Sequence, residues 1–272
     1  IPYQKSIQEA KIRLLGTTGQ IIPFRFSSVE EPRLKSILHK SEICINLKTT
    51  YDQKNGSFDD IIFKFNKRLI NILKTSNLLD QFIFFSGLGV DKDNNSKRSD
   101  AVFKSEKEAL KNIKNSIIIR PGVIIGGGDV FLQRLLPIFK LSFFVPLFGN
   151  GLVKFQPVFI DDVSMAVEKI IDERLEGNQI YELAGSKIIS YKDYYEHIAA
   201  CLNKTRVFTP VPISFLKSLI SIAEKTPFSP LTSEQLLLFE KNNIFQNVDK
   251  SFKDLGINPQ DVLQITKNII EK

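Results

Sequence analysis

Apolar positions along the chain fall into two kinds of run, and their alternation sets out the fold. FIFFSGLGV (Phe82 to Val90) and SIIIRPGVIIGGGD (Ser116 to Asp129) are almost continuously apolar, as strands buried on both faces are. Between them, after the polar loop DKDNNSKR, the segment DAVFKSEKEALKNIK (Asp100 to Lys114) has helical spacing. Strand, helix and strand in that order predict a βαβ unit of a parallel sheet. Open sheets of this kind bind ligands at the carboxyl ends of their strands, which is where Ser86 and Pro121-Gly122 fall.

The flanking pattern extends the same architecture. IPYQKSIQEAKIRLLG reads as the tail of a strand or loop and a short helix ending near Gly16, and GTTG as a turn. QIIPFRF (Gln20 to Phe26) predicts a strand, placed near an edge by Pro23. An amphipathic helix through Leu34, Ile37 and Leu38, the strand EICINL (Glu42 to Leu47) and the helix DDIIFKFNKRLINILKTSN follow. Downstream, Asp129 caps a helix over Phe131 to Phe139, and QPVFIDDV leads into another whose cap is expected at Asp161 or Asp162. QIYELAG is a strand, and Ser190 caps a helix whose Tyr191, Tyr194 and Tyr195 suit core packing better than a stacking platform. The expected fold is α/β: a Rossmann-like parallel sheet over residues 1–177 and a smaller, mostly helical cap over 178–272. A dinucleotide-binding sheet opens on a strand and a glycine-rich turn at a helix N-terminus. GTTG follows a helix and GGG at Gly126 to Gly128 closes a late strand, so neither supplies that turn. The first βαβ unit is thus missing, through cropping or loss, and its absence should leave strand 20–26 without its usual neighbour.

Composition narrows the function. The 272 residues are 43% hydrophobic and 25% charged, which suits one or two compact domains. No run reaches the ~20 apolar residues of a membrane span. The most apolar stretch, LLPIFKLSFFVPLF (Leu135 to Phe148), is broken by Pro137, Lys140 and Pro146 and reads as a buried or docking segment. Cys44 and Cys201 read as core thiols of a reducing compartment, and His39 and His197 have no ligand spacing around them, so no metal site is expected. The net charge of +7 is scattered, with no nucleic-acid motif, so solvated surface is the reading and DNA is not an expected partner.

The Ser86 strand, the helix after it and Arg120-Pro121 together resemble the extended, epimerase-like branch of the short-chain dehydrogenase/reductase superfamily. In that superfamily a Tyr and a Lys four residues apart share a helix face beside the Ser. The Lys lowers the phenol's pKa and holds the cofactor ribose, and the Tyr acts as general acid or base. Here Lys104 stands in the Lys place and Asp100 in the Tyr place, so no catalytic residue is assigned. Asp100 and Lys104 also read simply as an i,i+4 surface pair.

A narrower resemblance spans nearly the whole chain. LLGTTGQIIPFRF, EICINL, the Ser86 and Lys104 segment, IIRPGVIIGGGDVFLQRL, VPLFGNGLVKFQPVFIDDV and PLTSEQLLLFEKNNI (Pro230 to Ile244) are similar, in order, to the nucleotide-binding accessory subunit family of respiratory complex I and its bacterial relatives. That resemblance implies NADP(H) or NAD(H) held structurally, provided the N-terminal unit exists, and otherwise no cofactor. It places Asn46 and Leu47 near the adenine, Ser86 and Lys104 on the nicotinamide-ribose side, and Pro121, Gly122, Val123 and Ile124 beside the nicotinamide. Lys48-Thr49 replace the small residue and Gly that usually follow Asn-Leu. It also implies a peripheral, non-catalytic accessory or assembly role on the matrix side of the mitochondrial inner membrane or the cytoplasmic face of a bacterial one. Other complex I subunits or membrane-associated respiratory proteins would be the partners. An NAD(P)-dependent epimerase, dehydratase or reductase is the alternative from another class, and an RNA-binding relative of the superfamily is a second.

Overall fold

The computed structural model describes residues 1–3, 6–17, 19–91, 96–224, 232–246 and 249–271. Thr18 of the GTTG turn, residues 92–95 of the polar loop, and Pro230 and Leu231 of the late motif lie outside the described residues.

The chain opens with β1 (Pro2–Tyr3), α1 (Ser6–Arg13), β2 (Phe24–Arg25), α2 (Pro32–His39) and β3 (Ile43–Asn46). A π-helical stretch, Asp59–Lys64, runs directly into α3 (Phe65–Leu73), followed by β4 (Gln81–Phe85), α4 (Lys97–Asn112) and β5 (Ser116–Pro121). β3, β4, β5 and a later strand, β10 (Gln179–Leu183), form one parallel sheet in the order β10-β5-β4-β3. Registers run Asn46 to Phe84, Phe85 to Ile119 and Tyr181 to Ile119.

Continuous apolar strands are explained by cover on both faces. Phe82, Phe84 and Ile118 face a core built with Leu34, Leu38, Ile62 and Leu73 from the helices on one side. Ile83, Ile117 and Ile119 point the other way, onto Val163, Ala166 and Ile170 of α6 (Ile160–Asp172) and onto Phe252 and Leu255. Period-two alternation in a strand buried on both sides gives no polar face, so its sequence reads as unbroken hydrophobicity.

Several expectations are corrected. The strand over 20–26 shrinks to Phe24–Arg25, because Pro23 has no N–H to offer a ladder. It does not lack a neighbour: β1 pairs with it in parallel, Pro2 to Phe24 and Tyr3 to Arg25. The break in hydrogen bonding falls instead between this pair and the four-stranded sheet, whose edge strand β3 leaves Ile45 exposed. The strand from Ser116 closes at Arg120-Pro121, as its sequence implies, and does not run on to Asp129. Beyond it, Ile124–Ile125 forms a separate short strand, β6, paired with β9 (Val158–Phe159). Gly122 makes the turn between them, since a Cβ there would stand 2.3 Å from the Gln156 carbonyl oxygen.

The further elements are α5 (Val130–Leu141), β7 (Phe144–Phe148), β8 (Lys154–Phe155), β11 (Ile189–Ser190), α7 (Tyr191–Cys201), β12 (Val207–Val211), α8 (Ile213–Ala223), the short α9 (Ser233–Leu236) and α10 (Val262–Glu271). Asp129 and Ser190 cap α5 and α7 as expected, each side chain accepting a backbone N–H. Tyr191, Tyr194 and Tyr195 are buried among Phe131, Phe139, Phe155 and Phe239, which is packing rather than a stacking surface. Neither Asp161 nor Asp162 caps α6, whose N-cap is Phe159 without a side-chain bond. Asp162 lies one turn too far along and is fully buried. It accepts the Gln260 backbone N–H at 2.8 Å and so ties the C-terminal segment to α6.

Candidate functional site

The carboxyl ends of β3, β4 and β5 lie side by side because the strands are parallel and in register. Ser86 N–H donates to the Ile119 carbonyl at 2.8 Å and Leu88 N–H to the Pro121 carbonyl at 2.9 Å, which sets the Ser86 turn against Pro121. Asn46 ends the neighbouring strand opposite Phe84. The structure therefore brings Asn46, Ser86 and Pro121-Gly122 to one end of the sheet. Val123 and Ile124 continue from there into β6, where the Val123 carbonyl accepts Val158 N–H at 2.9 Å.

The environments of these groups differ. Asn46 is buried, and its amide donates to Asn66 at 2.8 Å while its oxygen accepts Lys48 N–H at 3.0 Å. Asn66 donates onward to the Ser105 carbonyl, so this amide pair links β3, α3 and α4. Leu47 is exposed. Burial lowers the pKa of Lys48, whose ammonium lies 4.6 Å from the centre of the Phe65 ring. The Ser86 hydroxyl is buried with no hydrogen-bond partner. Such a group costs stability unless something satisfies it.

Lys104 is not brought to this group. It pairs with Asp100 at 2.7 Å, both about half exposed, as an i,i+4 surface bridge. This hydrogen bond raises the ammonium's pKa. Both residues line a cavity of about 340 Å³ with Gln53, Ser57 and Asp59, at the groove between α4 and the π-helical stretch. The inward face of α4 carries Ala101, Val102, Ser105, Glu106 and Ala109. Arg98, at its first turn, donates to the Thr50 carbonyl and the Thr49 hydroxyl at 3.0 Å and stacks 4.0 Å over Tyr51. The helix position that reaches the loop after β3 thus holds an arginine, and four residues on stands the buried Val102.

Sequence reasoning also missed the charge cluster at the end of β5. Arg120 makes a bidentate pair with Glu106, at 2.7 and 2.9 Å, and reaches Asp249 at 3.0 Å and Glu182 at 3.6 Å. Glu106 and Glu182 are almost wholly buried. Burial pushes the Glu182 carboxyl above its ordinary pKa, and Asp249 adds to this while Arg120 and the Gln246 N–H oppose it. The one available signal was Glu106 itself, a charge on the apolar face of a helix. Described residues on either side of this cluster's Asp249 also reach the sheet. Asn243 donates to the Leu88 carbonyl at 2.9 Å, Gln246 N–H to Glu182, and Lys250 pairs with β10 through Tyr181.

A dinucleotide, which this arrangement of strands suggests, fits these residues poorly. The orphaned Ser86 hydroxyl could accept or donate to a ligand. However, the Asn46 side chain is spent on internal bonds, Gly122 is wedged against Gln156, and Lys104 faces another groove. No phosphate-cradling glycine turn occurs among the described residues.

The fold is shared with extended short-chain dehydrogenases/reductases. The chain superimposes on a nucleoside-diphosphate-sugar epimerase from Staphylococcus aureus with a TM-score of 0.69 at 13% identity, over 92% of this chain and 84% of that one. It superimposes on a dTDP-4-dehydrorhamnose reductase from Bacillus anthracis, solved with NADP, at 0.66 and 11% identity, over 97% and 95%. In architecture the chain has the fold of these proteins. No protein-family model matches it. In sequence it resembles subunits of complex I. It is 26% identical over 269 residues, 96% of its length, to the mitochondrial NADH dehydrogenase (ubiquinone) 1 alpha subcomplex subunit 9 of Arabidopsis thaliana. To the mitochondrial NADH-ubiquinone oxidoreductase 40 kDa subunit of Neurospora crassa it is 23% identical over 274 residues, 100% of its length. The chain spans 66% and 72% of those two relatives.

Proposed function

We propose that this protein is a non-catalytic accessory or assembly component of respiratory complex I, built on a nucleotide-binding fold. The observation that carries this reading is the similarity to complex I subunits of a plant and a fungus along essentially the whole chain. The site supports it. Asp100 and Lys104 form a surface bridge, and Arg98 and Val102 occupy the helix positions nearer the sheet.

The partners in this reading are other complex I subunits. The protein would sit peripherally, on the matrix side of the mitochondrial inner membrane or the cytoplasmic side of a bacterial one. Among the described residues no helix is long and apolar enough to cross a membrane. Any NAD(P)(H) would be held structurally and would depend on a glycine-rich βαβ unit to seat its phosphates. In that case Asn46, Leu47, Ser86 and Pro121 to Ile124 would border it, and Lys104 would need to change groove to join them.

The test is native electrophoresis of membranes from the source organism after mild detergent extraction, probed for this protein. Co-migration with NADH dehydrogenase activity, and loss of the assembled complex on depletion, are expected. A protein that runs only as a free monomer overturns the reading.

A further inference from the structure

The apolar stretch from Leu135 to Phe148 is only half used by the core. Leu135, Phe139, Val145 and Leu147 are buried, but Ile138, Leu141, Phe143 and Phe144 are exposed, Leu141 by 88% and Phe144 by 63%. They are continuous with one more exposed apolar residue. β7 and β12 are parallel partners in which Phe144 stands opposite Val207, itself exposed, and Val207 N–H donates to the Phe143 carbonyl at 3.0 Å. Phe143 and Phe144 meet edge to face at 5.2 Å.

Cations are fastened beside this tip. Lys204 Nζ donates to the Lys140 carbonyl at 2.8 Å and Arg206 Nε to the Phe139 carbonyl at 2.7 Å, so both sit on the last turn of α5, where the helix dipole favours positive charge. Exposed Lys140 directly precedes Leu141. No carboxylate lies in the chain between Asp129 and Asp161, or between Glu196 and Glu224. Those same stretches supply Arg134, Lys140, Lys154, Lys204, Arg206 and Lys217. A protein partner of mixed charge would not select for such a bias. Lys217 is paired with Glu240, but Lys140, Lys204 and Arg206 lie at the end of α5 beside the exposed apolar residues. An apolar, aromatic tip flanked by cations is complementary to the headgroup and upper acyl region of an anionic bilayer.

We propose that the tip formed by the C-terminal end of α5 and the first residues of β7 and β12 docks on an anionic membrane surface. Leu141, Phe143 and Phe144 enter the interfacial layer, Lys140 pairs with lipid phosphates, and Lys204 and Arg206, held on the α5 carbonyls, add to the positive field there. This goes beyond the complex I reading and does not depend on it.

The test is flotation of the full-length protein with vesicles of phosphatidylcholine alone and of phosphatidylcholine with phosphatidylglycerol. Binding to the anionic vesicles is expected, weakened by salt as screening shortens the reach of the cations. Leu141→Gln/Phe143→Gln should lower partitioning about tenfold by removing insertable apolar surface. Lys140→Gln should lower it about fivefold at low salt. The substituted side chains are exposed, and an unchanged thermal midpoint would confirm intact folding. No binding by the wild type, equal binding to both vesicles, or full retention by the double variant overturns the proposal. Flotation needs no other subunit, so its failure would leave the native-gel result untouched, and the converse also holds.

Discussion

Arg120→Met gives a direct test of how the strand ends are held. The guanidinium sits between Glu106, Glu182 and Asp249, with side-chain exposures of 13%, 2%, 7% and 21% respectively. Methionine keeps much of the volume and removes the charge, leaving at least two carboxylates without their cation in a place water hardly reaches. Removing one partner of a buried ion pair costs about 3–5 kcal/mol. That is a large part of the ~5–15 kcal/mol that holds a typical domain together. The loss should depend on pH. Glu182 already has a raised pKa in the folded protein, so it favours folding below its unfolded value and loses that contribution as pH rises through the raised one. Without Arg120 the carboxyl is pushed higher still, which widens that window. Urea unfolding followed by circular dichroism at neutral and mildly acidic pH should show a loss of about 3–5 kcal/mol at neutral pH that shrinks in acid. A loss below ~1 kcal/mol, or an equal loss at both pH values, would mean that the cluster contributes packing rather than charge pairing, and would refute the reasoning.

Four further outcomes are expected. Gly185→Ala should destabilise by about 3 kcal/mol or fail to fold, because its Cβ would lie 1.9 Å from the Pro157 carbonyl oxygen, a backbone atom; the expression level and thermal midpoint report it. Asn66→Leu should cost about 1–3 kcal/mol in urea unfolding by leaving the buried Asn46 amide unpaired, whereas Asp100→Asn, in an exposed pair, should change stability by less than ~0.5 kcal/mol. Cys44, whose thiol burial pushes up to about 12, should resist iodoacetamide at mildly alkaline pH until the protein is unfolded.

The elements near the middle of the chain were legible because each carries its own period. Phe82 to Phe85 and Ser116 to Pro121 are buried on both faces and read as apolar runs, while Leu34 and Leu38 mark one helix face. Local chemistry was also readable where donor and acceptor are neighbours, as with Asp129 and Leu132 N–H or Ser190 and Asp193 N–H. Asp162 was misread because its partner, Gln260, is distant in sequence. The end of the Ser116 strand at Pro121-Gly122 was readable, but the separate strand β6 was not, because the apolar run continues past the turn and hydrophobicity does not record a change of pairing partner.

The candidate site divides along the same line. The sequence by itself determined that Asn46, Ser86 and Pro121 end successive parallel strands, since strand order and direction follow from the βαβ pattern. Only the tertiary structure decided which side of α4 meets them. Each helical residue turns the side chain by about 100°, so assigning the inward positions requires knowing the packing of the whole helix. That packing turns Val102, Ser105 and Glu106 inward and leaves Asp100 and Lys104 in solvent. Arg120 likewise gains its partners from three separate segments, at Glu106, Glu182 and Asp249. No local pattern encodes such a meeting, because the free energy that selects it comes from burying the charges together once the chain has closed.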